Sequence, residues 1–344
     1  MNVTELMAQI RSEMTGDLKK DMQHLSDIAD DLRREPNAEE LLAAVSDYAF
    51  KLMPDQTRDQ LREMTFVGDR RMDQAFAAAL KLVDAQKYTE AETILRAISA
   101  KIEKYFENQD PKFFSFRNPF EYHMYRQFYP DDTVFERAPF DFAHYLQLYG
   151  YVLIEANKYR EAELVLDRSV KFNPVSADMR FERAELFKLT DNMPKLIEEC
   201  RETLRLCTSP DRIARTLANT GFYCYKTNDF FSAAVFYFES IRFQPNKGVE
   251  FELQDVVKRM NSFGQKFAPP TNGQILDAYE KYALTKQPST ELVNLALTLA
   301  QSAHDMQEKE LEGVFLRTAY DLTNDAKMKK QLDELAAEVQ QDKQ

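Results

Sequence analysis

Four histidines, three cysteines and many carboxylates are the side chains here that could bind a metal, attack an electrophile or move a proton. A protein metal site needs its ligands clustered at short, fixed spacing, yet His24, His123, His144 and His304 are strung over 280 residues. Cys200, Cys207 and Cys224 leave an odd thiol and show no Cys-x-x-Cys spacing, so neither a zinc knuckle nor a disulfide framework is indicated. No Gly-x-Ser-x-Gly stretch presents an activated serine. Gly16, Gly68, Gly248 and Gly264 are isolated, and none opens a loop that cradles phosphate. Carboxylate pairs arise by chance in a chain this acidic, mostly on solvated helix faces. These residues predict a non-enzymatic protein with no cofactor and no metal, its thiols spent in the core in a reducing setting.

The elements that hold such residues are predicted to be helices. Gly and Pro number only 8 and 13 in 344 residues, and apolar residues make up 44%, enough for a buried core. A formal charge of -12 disfavours general affinity for nucleic acid or anionic membrane. No apolar run approaches the roughly 18 residues that cross a bilayer, and the first residues form an amphipathic, acid-bearing stretch; a cytoplasmic protein is expected. The first 66 residues predict three or four helices, one over 17–34 stopped by Glu35-Pro36 and one over 38–53 capped by Asn37 and stopped by Pro54.

From about Val67 a phrase appears and then returns. Asp84-Ala-Gln-Lys-Tyr-Thr-Glu-Ala-Glu and Glu155-Ala-Asn-Lys-Tyr-Arg-Glu-Ala-Glu agree at six of nine positions, and Tyr225-Lys-Thr-Asn-Asp-Phe-Phe-Ser-Ala-Ala keeps the polar turn and the alanine. Twelve residues before each turn alanine sits a small residue: Ala79 before Ala91, Gly150 before Ala162, Gly221 before Ala233. Two helices can cross closely there. Gly150 to Ala184 is 34 residues and Ala184 to Gly221 is 37, the extra three falling around Thr208-Ser209-Pro210.

These residues resemble the tetratricopeptide repeat family, whose 34-residue unit is a helix pair with small residues at the crossing and a closing proline. The match is fullest over 143–176, with Leu146, Tyr149, Gly150, Leu153, Tyr159, Ala162, Leu166, Ser169 and Pro174, and strong over 214–247. The unit over 177–210 keeps Ala184 and Phe187 but puts Arg180 and Arg183 at apolar positions and Leu196 at a small one. A further unit starts at Met72 without a closing proline, and a degenerate one spans 292–324. The resemblance implies an all-α, right-handed solenoid and a role in binding proteins or peptides.

The expected organisation is an N-terminal helical segment (1–66), a repeat-like unit (67–104), an aromatic-rich insertion (105–142), three units with a following helix (143–262), a loop or hinge (263–273) and C-terminal helices with one degenerate unit (274–344). The insertion carries ten Phe or Tyr from Phe113 to Phe140 and is too apolar for a solvated linker. The polar end of the chain, 334–344, is expected to fray.

In stacked pairs the first helices line the concave face. The register predicts a lining of Asp73, Phe76, Leu80 and Val83; His144, Gln147, Tyr151 and Ile154; Asp178, Phe181, Glu185 and Lys188; Arg215, Ala218, Phe222 and Tyr225. Within it, Tyr151, Phe181, Phe222 and Tyr225 form an aromatic stripe, and Lys188 or Arg215 is expected to meet an acidic group of a peptide. The same register places Gln147, Tyr151, Glu182, Arg215 and Asn219 where family members that grip a chaperone's C-terminal carboxylate carry Lys, Asn, Asn, Lys and Arg, so the resemblance does not extend to that clamp. The insertion or the C-terminal helices can alternatively fill the concavity. Two other functions fit the sequence: self-assembly through the insertion or an end of the solenoid, as a homodimer, and sensing of a small ligand or signalling peptide inside a closed superhelix.

Overall fold

The structure, a computed structural model, describes residues 2–32, 38–130 and 132–342. It divides into two compact units, Met1–Ala75 and Phe76–Gln344. In the first lie α1 (Val3–Glu13), α2 (Leu18–Leu32), α3 (Ala38–Leu52) and α4 (Asp55–Thr65), then a small antiparallel ladder of β1 (Phe66–Val67) and β2 (Arg70–Arg71). Helix α1 starts at a capping box in which the Glu5 N–H donates to the Asn2 side chain and the Asn2 N–H donates to the Glu5 side chain. Its core is Leu6, Ile10, Leu25, Leu32, Leu41 and Val45. The expected stop at Glu35-Pro36 and cap at Asn37 lie outside the described residues.

Next come α5 (Met72–Asp84) and α6 (Tyr88–Tyr105). The aromatic insertion folds as β3 (Lys112–Phe114), α7 (Pro119–Phe128) and β4 (Phe135–Arg137), with β3 and β4 paired in parallel. Helices α8 (Phe142–Glu155), α9 (Tyr159–Phe172), α10 (Ala177–Leu189), α11 (Met193–Arg205), α12 (Pro210–Lys226) and α13 (Phe230–Phe243) follow as three antiparallel pairs. They are succeeded by α14 (Lys247–Ser262), α15 (Asn272–Lys281), the pair α16 (Thr290–Asp305) and α17 (Lys309–Thr323), and α18 (Ala326–Asp342). Where the sequence predicts fraying, α18 continues helical to Asp342.

One backbone device closes α5, α8, α10, α12 and α16 alike. Gln86, Asn157, Asp191, Asn228 and Gln307 each take a positive φ of 53–63°. The next residue's N–H then reaches back five positions: Lys87 to the Leu82 carbonyl, Lys158 to Leu153, Asn192 to Phe187, Asp229 to Cys224 and Glu308 to Ala303, at 2.8–2.9 Å. This left-handed closure satisfies the orphan carbonyls of the helix end and reverses the chain. Asn and Asp at three of the five positions tolerate it best among residues with a Cβ.

Small residues let the first and third of the three central pairs close tightly. A Cβ added at Gly150 would overlap the Leu166 side chain, and one at Gly221 would lie 2.9 Å from the Tyr237 ring. Beside these crossings Ser169 Oγ donates to the Ala143 carbonyl and Ser240 Oγ to the Ala214 carbonyl, both at 2.7 Å. Each pair packs on its neighbours, α9 on α10 and α11 on α12, and the first helices also touch in series, α8 on α10 and α10 on α12. The second unit is therefore an all-α solenoid of tetratricopeptide-like hairpins. All three cysteines lie in its core, where burial pushes each thiol up to about 12.

Candidate functional site

The predicted lining begins on α5 and runs over α8, α10 and α12. Its aromatic residues differ in how far they reach solvent. Tyr225 is exposed, Tyr151 and Phe222 are half-buried, and Phe181 is 4% exposed, a core residue with the Arg215 guanidinium 4.3 Å above its ring. Tyr151 meets Tyr88 edge-on, with their hydroxyls 3.4 Å apart. That contact, and then burial, holds the Tyr151 hydroxyl above its usual range. Phe222 lies beneath two ammonium groups, Lys188 at 5.5 Å and Lys226 at 5.9 Å. Tyr225 leans on Phe230, which stacks on Phe263.

The two cations expected to await a ligand are engaged within the protein. Lys188 Nζ sits 2.8 Å from Glu185 and 3.0 Å from Asn219 Oδ1, while Arg215 lies 3.9 Å from both Glu182 and Glu185. Burial raises the Glu182 carboxyl above its ordinary range; Arg215 pulls it down, and the carboxylates of Glu185 and Glu155 push it up. The middle of the stripe is thus a run of rings bordered by carboxylates whose cationic partners are already shared.

At the other end His144 and Gln147 serve the scaffold. His144 packs edge-on against Phe76 at 5.1 Å, and its Nδ1 is 3.0 Å from Arg117 of the insertion. Burial lowers its pKa. Gln147 donates to the Asp178 carbonyl at 2.8 Å. Asp178 itself holds the Arg212 guanidinium in a two-pronged pair at 2.7 and 2.8 Å. Burial pushes the Asp178 carboxyl up, but these bonds outweigh it and the net shift is downward.

The insertion packs on the repeat helices, where Arg117 meets His144 and Asp178 of the predicted lining. The Ser115 N–H donates to the Phe172 carbonyl at 2.8 Å, and Asn173, just before the closing Pro174, donates to the Ser115 carbonyl and to Glu121 at 3.0 and 2.8 Å. Phe114, Phe120, Met124 and Tyr125 join the core with Val175 and Leu206, and α7 continues onto α16 and α17. Phe120 and His123 both meet Phe315. Sequence reasoning missed this mate and the α7 helix itself, although Asn118-Pro119 is a legible cap followed by a first-turn proline.

No family model and no curated protein matches the sequence. Among solved structures, the chain is similar to that of "Functional Characterization of Pseudomonas Aeruginosa pilF" at 12% identity, covering 78% of this chain and 97% of that one with a TM-score of 0.41. It is also similar to the P58(IPK) TPR domain at 13% identity, covering 99% of each chain with a TM-score of 0.29. The hairpin turns and glycine crossings carry the fold assignment. Among the described residues no three His, Cys, Asp or Glu converge as a metal site, and no helix is long and apolar enough to cross a membrane.

Proposed function

We propose that the second unit is a non-enzymatic scaffold that binds a segment of a partner protein along the first helices of its repeats. The observation that supports this most is the set Tyr151 on α8 and Phe222 and Tyr225 on α12, rings with accessible surface on the first helices either side of α10, in a series whose backbones share the same turns. Half-exposed aromatic rings on rigid elements supply contact area at little entropic cost. The engagement of Lys188 and Arg215 by Glu185 and Glu182 favours a segment that brings apolar side chains and a cation, rather than the acidic group expected from the sequence.

A peptide array screened with the full chain, then titrated with its best binders, tests the reading. The double variant Tyr151→Ala, Phe222→Ala should keep its helical circular dichroism and weaken binding by about a hundredfold, the loss typical of two central anchors. Unchanged affinity would remove the stripe as the binding surface.

A further inference from the structure

Away from the stripe, a cavity of about 790 Å³ lies between the end of α13, the start of α15, residues 286–288 and the end of α17. That size is in the usual range for a small-ligand site. Two of its lining residues carry buried polar atoms with no partner in the protein. Tyr279, 2% exposed, has an unbonded hydroxyl, and Gln287, 7% exposed, has an unbonded Oε1. The Gln287 amide is oriented by its other end, since Nε2 donates to the carbonyls of Leu204 at 2.8 Å and Thr285 at 3.3 Å. The Tyr279 hydroxyl is thus left to donate and Gln287 Oε1 to accept, each at the desolvation cost of an unmade hydrogen bond.

The charges around this pair balance. Lys286 and Arg242 line the cavity with Glu239 and Asp321. Glu239 and Arg242 pair with each other at 2.5 Å. Asp321 is half-buried, and burial raises its carboxyl above the ordinary range with Arg317 pulling the other way. An unmet donor and an unmet acceptor are what a peptide backbone can satisfy, with one carbonyl to take a bond and one N–H to give one. A free ammonium suits Asp321, and a free carboxylate suits exposed Lys286 with Arg242.

We infer that this cavity is a second binding site, separate from the stripe, for a short zwitterionic peptide of two or three residues with free ends. Tyr279 donates to a peptide carbonyl, Gln287 Oε1 accepts a peptide N–H, and Asp321 and Lys286 receive the two termini.

The test uses the full chain and a synthetic library of randomised tripeptides with free ends, beside the same library acetylated and amidated, read by thermal shift and then calorimetry on the best fraction. The free-ended library should raise the melting temperature and the blocked one should leave it nearly unchanged. Tyr279→Phe, which keeps the ring and removes only the hydroxyl, should weaken binding about tenfold, and Asp321→Asn by a similar factor. The Tyr151→Ala, Phe222→Ala variant should keep the full shift, so failure at the stripe and failure here are distinguishable. No shift, equal shifts from free and blocked libraries, or a shift that survives both cavity variants would each overturn the inference.

Discussion

The α8/α9 and α10/α11 hairpins share one backbone plan and use opposite interface chemistry. Both turn through a left-handed residue, Asn157 or Asp191, with the same return hydrogen bond. In α8/α9 the crossing is dry, with Gly150 against Leu166 and no room for a Cβ. In α10/α11 it is ionic. Glu199, 4% exposed, lies 3.2 Å from Arg180 and 3.2 Å from Arg183, and Arg183 also reaches Asp167 at 3.3 Å. Arg180 Nη2 finds a further partner in the Pro174 carbonyl at 3.3 Å, yet the Nε atoms of both arginines stay unbonded. The turn sets the hairpin, and the interface tolerates either solution provided that each buried charge keeps its counter-charge.

The comparison breaks hardest at Glu199. Glu199→Ala leaves the buried Arg180 without a counter-charge and the half-buried Arg183 with Asp167 alone, and should cost about 3–5 kcal/mol, whereas replacing Arg180, Arg183 and Glu199 together by leucine should recover most of that loss. Urea unfolding of the two variants checks both halves; a mild effect of the single change would mean that solvent reaches the pair.

A smaller effect is expected at the dry crossings. Alanine at Gly150 or Gly221 gains about 1 kcal/mol of helix propensity but overpacks Leu166 or Tyr237 at about 1–3 kcal/mol, for a net loss near 1 kcal/mol by the same measurement. At the equivalent Ala184, which is buried, the reverse change, Ala184→Gly, should also destabilise, because it loses about 1 kcal/mol of helix propensity and a buried methyl group. Stabilisation by Gly150→Ala would show that the pair can part without penalty.

The smallest effect concerns the stripe. The folded-state pKa of Glu182 lies above the ordinary 4.5, so the fold favours its protonated form. Its ionisation erodes stability as pH rises from the unfolded value through the folded one. Glu182→Gln stays neutral, so its unfolding free energy should match the wild type near pH 4 and exceed it near pH 7 by less than about 1 kcal/mol, read by urea unfolding at the two pH values. A variant less stable at pH 7 would mean that the attraction to Arg215 outweighs burial.

The repeat was readable because it is written in local terms. A polar turn residue, an alanine three positions after the aromatic, and a glycine twelve before that alanine all act within one hairpin, and the structure uses each of them as the spacing implies. The Arg180 and Arg183 departures read as damage to the pattern, since their compensation, Glu199, lies on the next helix at a position that looks like ordinary helix surface. The stripe was half legible. Register named Tyr151, Phe222 and Tyr225, which keep accessible surface, but it could not tell that Phe181 lies under Arg215, that His144 and Gln147 brace neighbouring helices, or that Lys188 and Arg215 have acidic mates one turn or one helix away.

The cavity beside Tyr279 and the docking of the insertion were not legible at all, because each joins segments far apart in the chain: Asp321 comes to Glu239, Gln287 to Leu204, Phe120 to Phe315. Periodicity and turn chemistry act over one hairpin, so the sequence by itself determined the helix pairs, their left-handed turns and the glycine crossings. Which side chains remain open to a ligand depends on long-range packing and on which charges find partners, and only the tertiary structure decided that.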